Sequence, residues 1–160
     1  MKPRIYVESS VISYATSRKS ASALTAFRQE VTHRWWDKAT KMFTLETSAI
    51  VRFEISAGDP AAAKKRLALF ATLAEVPLHA EVATLSERLM QECLVPRSEP
   101  EDASHIAQAT LSQADYIATW NFAHMVGPQA KYRLVQNIER WGYKAPLLAT
   151  PEEIFEGMML

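Results

Sequence analysis

Short apolar runs alternate along the chain with longer segments whose apolar residues recur at helical spacing. The first run, Ile5-Tyr6-Val7, consists of β-forming residues, as is typical of a strand buried on both faces of a parallel sheet. The pattern predicts short strands at about residues 4–7, 42–45, 75–78, 116–119 and 147–149. It predicts helices at about residues 20–41, 48–57, 60–74, 81–94, 99–113, 129–141 and from 151 onward.

Local signals mark several helix ends. Gly58 is expected to end one helix, and Asp59 followed by Pro60 predicts the N-cap and first residue of the next. Residues 98–101 (Ser-Glu-Pro-Glu) and 150–153 (Thr-Pro-Glu-Glu) both have the Ser/Thr-x-x-Glu pattern of a capping box. Each of these segments is therefore expected to open a helix.

Two helices have an apolar stripe that is expected to face the core. Leu24, Phe27, Val31 and Trp35 form the stripe of the first long helix. Cys93 continues the stripe of a later helix, so we expect it to be buried. As the single cysteine it cannot form an internal disulfide, which fits a reducing compartment.

Strands of four or five residues that alternate with helices predict parallel strands joined by crossover helices. The 160 residues are enough for one domain. We therefore expect a single α/β domain over residues 1–160, with three layers (α/β/α) and a central, mostly parallel sheet of four or five short strands. In such sheets, binding sites form where loops leave the carboxyl ends of the strands.

Composition restricts the function only weakly. The 18 basic residues balance the 18 acidic ones, so net charge neither indicates nor excludes a nucleic-acid partner. No apolar stretch approaches the roughly 20 residues that a membrane span needs. The first residues lack the pattern of a signal peptide. We expect a cytoplasmic protein with no membrane partner.

Four polar residues occupy positions from which they can converge. Glu8 follows the first strand, Asn121 follows the fourth, Asp102 lies in the first turns of a helix, and Glu54 lies on the apolar side of its helix. Each also has an ordinary explanation, such as a solvated strand end or an acid that favours the helix dipole. Carboxylates that meet repel one another and favour a divalent cation, and oxygen ligands suit Mg²⁺ or Mn²⁺.

The chain resembles the PIN-domain family, and within it the toxins of the VapC type. The resemblance covers essentially the whole chain, with the motifs in the family's order and spacing. The segments that carry it are residues 5–10 (IYVESS), 48–55 (SAIVRFEI), 101–107 (EDASHIA) and 115–121 (DYIATWN).

This resemblance implies a PIN-like fold and an endoribonuclease that depends on Mg²⁺ or Mn²⁺. It also implies a homodimer that acts as the toxin of a toxin–antitoxin pair, with RNA as substrate and a cognate antitoxin as partner. By resemblance the acidic positions fall on Glu8, Glu54, Asp102 and Asn121, with supporting hydroxyls on Ser10 and Thr119. All four acidic positions would be catalytic and would hold the metal, Glu54 either directly or through water.

Two positions depart from the family's pattern. Glu8 replaces the usual first aspartate, and its extra methylene moves the carboxylate by about 1.5 Å. Asn121 replaces the usual fourth aspartate, so its amide oxygen can bind a metal without contributing charge. These departures support an alternative, in which a catalytically weak or inactive PIN domain acts as an RNA-binding or protein-interaction module.

Two further features have open interpretations. Arg34, Lys38 and Lys41 form a basic stripe that either contacts RNA phosphates or is the solvated side of an amphipathic helix. His105 follows Asp102 by three residues, so it is either a proton shuttle in the same pocket or a hydrogen-bonded structural residue.

Overall fold

A computed structural model describes residues 1–121 and 128–159 of the chain. Within these residues, five strands alternate with eight helices. The strands are β1 (Arg4–Val7), β2 (Thr44–Ser48), β3 (Ala74–Val76), β4 (Tyr116–Ala118) and β5 (Leu147–Ala149). The helices are α1 (Ser9–Thr16), α2 (Ala23–Met42), α3 (Ala49–Ile55), α4 (Pro60–Phe70), α5 (Val82–Gln91), α6 (Pro100–Leu111), α7 (Pro128–Arg140) and α8 (Pro151–Met158).

The strands form one sheet in the order β3-β2-β1-β4-β5, and every neighbouring pair is parallel. This confirms the predicted α/β class and the parallel sheet flanked by helices. From β1 the chain builds outward on one side through β2 and β3, and then on the other side through β4 and β5. The order therefore reverses between β1 and β4, and the crevice at their carboxyl ends is where such sheets bind ligands.

The central strand is fully buried, as its run of apolar residues predicts. Ile5, Tyr6 and Val7 are each 0% exposed. In register they pair with β4 at Tyr116, Ile117 and Ala118, while β2 lies on the other side of the strand. The residues that follow β1 and β4 are therefore neighbours at the same edge of the sheet.

Several predicted boundaries differ from the structure. Helix α1 was not predicted, because its sequence begins with two serines and is only eight residues long. Strand β2 begins two residues later than expected and extends to Ser48. Helices α4 and α5 end three to four residues earlier than their apolar content suggests, at Phe70 and Gln91.

The apolar stripe predicted for the first long helix is longer than the buried face of α2 in the structure. Trp35 is fully buried as expected, whereas the side chains of Leu24 and Phe27 are largely exposed. These two residues lie in the first turns of α2, where the contacts of the helix are polar: Gln29 bonds to the loop before it through Ser17, Arg18 and Ser20.

The prediction for Cys93 was wrong, because this residue is exposed and lies beyond the end of α5. Its φ of 55° reverses the chain there, and the N–H of Leu94 bonds back to the carbonyl of Leu89. The stripe of α5 therefore stops before Cys93, whose thiol points outward.

Of the two predicted capping boxes, one is confirmed and one is wrong. Thr150 accepts the N–H of Glu153, whose carboxylate accepts the N–H of Thr150. Helix α6, in contrast, has Glu99 at its N-cap and no capping bond from a side chain. The predicted cap at Asp59 is confirmed by its bond to the N–H of Ala62.

None of the helices within residues 1–121 and 128–159 combines the length and the apolar character that a membrane crossing requires.

Candidate metal centre at the carboxyl ends of β1 and β4

Glu8 lies directly after β1, at the N-cap of α1, and is only 3% exposed. One carboxylate oxygen, Oε2, accepts hydrogen bonds from the backbone N–H of Ser10 (3.1 Å), from the Ser10 hydroxyl and from Oγ1 of Thr119 (2.8 Å). The two hydroxyls that the sequence analysis singled out thus both hold Glu8. No hydrogen bond to its other oxygen, Oε1, is made by the described part of the chain.

Glu54 is the second-last residue of α3 and is partly exposed. Its Oε1 accepts a hydrogen bond from the Ser9 hydroxyl at 2.8 Å and forms an ion pair with Nε2 of His105 at 2.5 Å. Burial opposes ionisation of Glu54, but the contacts with His105 and Ser9 outweigh it and lower the pKa of the carboxyl. Glu54 is therefore ionised, and these contacts hold only one of its two carboxylate oxygens, Oε1.

His105 lies within α6 and is 1% exposed. Its second ring nitrogen, Nδ1, is 3.0 Å from the hydroxyl of Tyr6, which is itself 2.8 Å from the hydroxyl of Ser48. Burial disfavours the imidazolium, but Glu54 and the nearby charges of Glu8 and Asp102 outweigh that effect and raise the pKa of His105. Burial is also the main reason that the pKa of the Tyr6 hydroxyl is raised.

Side-chain atoms of Glu8, Glu54 and His105 lie within 4.8 Å of one another. The structure therefore brings together two of the four predicted acidic positions and adds a histidine. Two carboxylates in a buried setting are a donor set that fits a hard divalent cation. Since one oxygen of each glutamate is already occupied by hydrogen bonds, each can offer its other oxygen to a cation.

Asp102 lies in the first turn of α6 and is partly buried. Burial, followed by the negative charge of Glu8, raises the pKa of its carboxyl from 3.8 to about 7. Glu54 also contributes to this rise, while His105 opposes it. Burial and a nearby like charge thus both disfavour the carboxylate form of Asp102.

Asn121 follows β4 and is exposed. Its backbone N–H donates to Oγ1 of Thr119 at 3.1 Å, and the same hydroxyl bonds to Glu8. The residue therefore stands at the same edge of the sheet as Glu8. Its carboxamide makes no hydrogen bond within the residues that the structure describes.

The sequence analysis gave no role to Ser9, Tyr6 or Ser48, which complete the hydrogen bonds around Glu54 and His105. For Ser9 a signal existed, since it stands directly beside Glu8 in the sequence. Tyr6 was predicted as an ordinary buried strand residue and Ser48 as the start of a helix, and only the packing of β1, β2 and α6 reveals their contacts. His105 contacts the Tyr6 hydroxyl and also lies beside the two glutamates, so both interpretations offered for it stay predictions.

The basic stripe on α2 has a contact that the sequence did not indicate. The side chains of Arg34 and Lys38 lie over the ring of Phe155 in α8, at 5.2 and 4.8 Å from its centroid. Lys41 is exposed. Whether the stripe also contacts RNA stays a prediction.

Comparison with known proteins identifies solved structures that share this fold. No protein-family profile matches the chain, and no curated protein is similar to it in sequence. The crystal structure of VapBC2 from Rickettsia felis, bound to a DNA fragment from their promoter, aligns over 92% of this chain and 98% of its own, with 15% identity and a TM-score of 0.57. The crystal structure of VapC20 from Mycobacterium tuberculosis, a sarcin–ricin-loop-cleaving toxin, aligns over 74% of this chain and 91% of its own, with 16% identity and a TM-score of 0.54. The chain therefore has the VapC-type PIN-domain fold.

Proposed function

We propose that this protein is an endoribonuclease that depends on Mg²⁺ or Mn²⁺. The observation that carries the proposal is the group formed by the buried Glu8 and His105 and the partly exposed Glu54, whose side-chain atoms lie within 4.8 Å of one another. The raised pKa of Asp102 supports it, because burial and the charge of Glu8 disfavour its carboxylate, and a bound cation would compensate that charge.

We further propose that the protein is the toxin of a toxin–antitoxin pair. Similarity of fold to VapC20, a toxin that cleaves the sarcin–ricin loop, supports RNA as the substrate class. Similarity to the toxin chain of VapBC2 supports a cognate antitoxin as partner. Both neighbours share only 15–16% of their residues with this chain, so the RNA target is not carried over from them.

Each residue of the centre has a proposed role. Glu8 and Asp102 would bind the cation directly, Asn121 through its amide oxygen, and Glu54 directly or through water. Ser10 and Thr119 orient Glu8 through its Oε2. A bound Mg²⁺ or Mn²⁺ would stabilise charge on the phosphate and make a coordinated water more acidic. Glu54 would orient that water or accept its proton.

The test is cleavage of a labelled single-stranded RNA and of ribosomal RNA by the purified protein in Mn²⁺, Mg²⁺ or EDTA. We expect cleavage that requires the cation and is lost in Asp102→Asn and in Glu54→Gln. Asp115→Asn is the matched control, because Asp115 is also an aspartate near a strand end but contacts Lys144 and the N–H of Arg4. Activity that persists in EDTA or in both site variants contradicts the proposal.

Calorimetric titration with Mn²⁺ separates the enzyme from the alternative of a catalytically inactive module. Binding that disappears in Asp102→Ala supports the metal centre. Failure to bind Mn²⁺ at millimolar concentration, together with retained binding of the RNA, favours the module. The exposed amide of Asn121 is the feature of the structure that agrees best with weak metal binding.

A further inference from the structure

A buried chain of hydrogen-bonding groups ends on Glu54. It runs from Ser48 Oγ to the Tyr6 hydroxyl (2.8 Å), from there to Nδ1 of His105 (3.0 Å), and from Nε2 of His105 to Oε1 of Glu54 (2.5 Å). Ser48, Tyr6 and His105 are at most 1% exposed. These contacts connect β1, β2, α6 and α3, of which only β2 and α3 are neighbours in the sequence.

The direction of the last contact does not depend on the charge of the imidazole. In the neutral ring, the proton is on Nε2, because the carboxylate of Glu54 that faces this atom can only accept, and Nδ1 then accepts the Tyr6 proton. In the imidazolium, both nitrogens are donors, and Tyr6 donates instead to Ser48. In both forms the proton on Nε2 faces Oε1 of Glu54, in an ion-pair contact of 2.5 Å.

The contact leaves only one oxygen of Glu54 for other partners. Its Oε1 is occupied by the Ser9 hydroxyl as well as by His105. Because Glu54 is partly exposed and near the end of a short helix, its side chain would otherwise move between rotamers. Fixing Oε1 therefore fixes the direction of Oε2.

We infer that His105 is a positioning residue, which directs Oε2 of Glu54 toward the centre, and that Tyr6 and Ser48 hold the ring in place for this task. The inference rests on the proposed function, in which Glu54 acts at the metal centre. Mutation of a residue that orients a metal ligand typically lowers metal affinity or activity by about 10- to 100-fold.

Two pairs of variants separate positioning from simple packing. The amide nitrogen of Gln can take the place of Nε2, so His105→Gln keeps the donor to Glu54, while His105→Asn keeps only a group near Tyr6. Tyr6→Phe removes one hydroxyl from the chain. Its matched control is Tyr116→Phe, on the neighbouring strand, whose hydroxyl makes no hydrogen bond within residues 1–121 and 128–159.

The measurements are the Kd of Mn²⁺ by calorimetry, and kcat and KM for cleavage of a single-stranded RNA, each below the melting temperature of the variant. We expect Tyr6→Phe and His105→Asn to weaken Mn²⁺ binding or lower kcat by about 10- to 100-fold, with KM nearly unchanged. Tyr116→Phe should equal the wild type, and His105→Gln should recover most of the loss.

The outcomes distinguish this inference from the proposed function. If the wild type binds Mn²⁺ and cleaves RNA while Tyr6→Phe and His105→Asn match Tyr116→Phe, the positioning role is wrong and the nuclease stands. Equal losses in His105→Asn and His105→Gln also overturn it, because only the Gln amide keeps the donor. If the wild type neither binds Mn²⁺ nor cleaves RNA, the proposed function fails, and the positioning role fails with it.

Discussion

Oγ1 of Thr119 donates a hydrogen bond to Oε2 of Glu8 at 2.8 Å, although the two residues are 111 positions apart in the sequence. Glu8 follows β1 and Thr119 follows β4, the two strands between which the order of the sheet reverses. The backbone bond from Glu8 N–H to the carbonyl of Ala118 ties the same ends together. The orientation of Glu8 therefore depends on the pairing of these two strands.

Removing the Thr119 hydroxyl should loosen Glu8. Thr119→Val keeps the shape of the side chain but takes a donor from Glu8 and an acceptor from the N–H of Asn121. We expect a loss of about 1–2 kcal/mol in the free energy of unfolding and about tenfold weaker Mn²⁺ binding. Urea denaturation and calorimetry measure the two effects. Thr119→Ser keeps the hydroxyl and should stay near the wild type; equal behaviour of both variants would contradict this role.

The metal-free protein should become more stable when Asp102 is neutralised. The folded-state pKa of Asp102 is about 7, above its ordinary value of 3.8. Between these values the folded state binds more protons than the unfolded state, so stability falls as pH rises. In EDTA at about pH 8, we expect Asp102→Asn to raise Tm by about 3 °C, or about 1 kcal/mol after solvent screening. At about pH 4 the difference should vanish.

Asp115→Asn is a control whose effect on Tm should have the opposite sign. The N–H of Arg4, followed by the ammonium of Lys144, lowers the pKa of Asp115 below its ordinary value. Its carboxylate therefore stabilises the fold above that ordinary value, and the contribution is lost as pH falls through the lowered pKa. At about pH 8, Asp115→Asn should lower Tm in the same scans. A decrease in Tm for Asp102→Asn as well would show that burial and the charge of Glu8 do not destabilise the carboxylate of Asp102.

Much of the fold could be predicted because the apolar residues of its central strand are fully buried. An apolar run such as Ile5-Tyr6-Val7 has no polar alternative, and the alternation with helices then requires crossover connections. The positions of Glu8 and Asn121 follow from the rule that such sheets bind at their carboxyl edge. The partners of Glu54 could not be predicted, because helical periodicity does not show that α6 packs His105 against it.

The two capping segments show where local rules succeed and where they fail. In both, proline is the first helical residue, since its fixed φ and missing N–H suit that position. The N-cap must then be the residue just before proline. That residue is Thr150 in one case, which caps well, but Glu99 in the other, so Ser98 is one position too early. The Ser/Thr-x-x-Glu pattern alone does not fix which residue is the N-cap. The position of the proline does.

The buried acid Glu46 should matter for stability and not for chemistry. Its Oε2 accepts two bonds from the guanidinium of Arg4, at 2.9 and 2.6 Å, and its Oε1 accepts one from the Ser112 hydroxyl. Arg4→Leu leaves this nearly inaccessible carboxylate without its cation, so we expect a loss of about 2–3 kcal/mol in urea denaturation. Cleavage by the folded variant should be unchanged. Arg4→Leu/Glu46→Leu should recover most of the loss; a double variant no better than the single one would contradict this account.

The basic stripe of α2 should divide into a structural part and a part that is available to RNA. Lys38 lies over the ring of Phe155, so Lys38→Gln should lower stability by about 0.5–1 kcal/mol. That loss should disappear in the background of Phe155→Leu, because the ring that the ammonium contacts is then gone. A loss that is the same in both backgrounds would exclude the contact with α8.

Lys41 is the residue of the stripe for which an RNA contact is the simpler expectation, since it is exposed and contacts no ring in the described residues. It lies nine residues, or about 14 Å, along α2 from Thr32, which binds the indole of Trp120. About two and a half helical turns separate the two residues, so their side chains are on opposite faces of α2. If Lys41 neutralises one phosphate, Lys41→Gln should leave Tm unchanged and reduce the slope of log affinity against log salt by about 0.7. Fluorescence anisotropy with a single-stranded RNA in EDTA, between about 50 and 200 mM salt, measures the slope, and an unchanged slope assigns Lys41 to the solvated side of the helix.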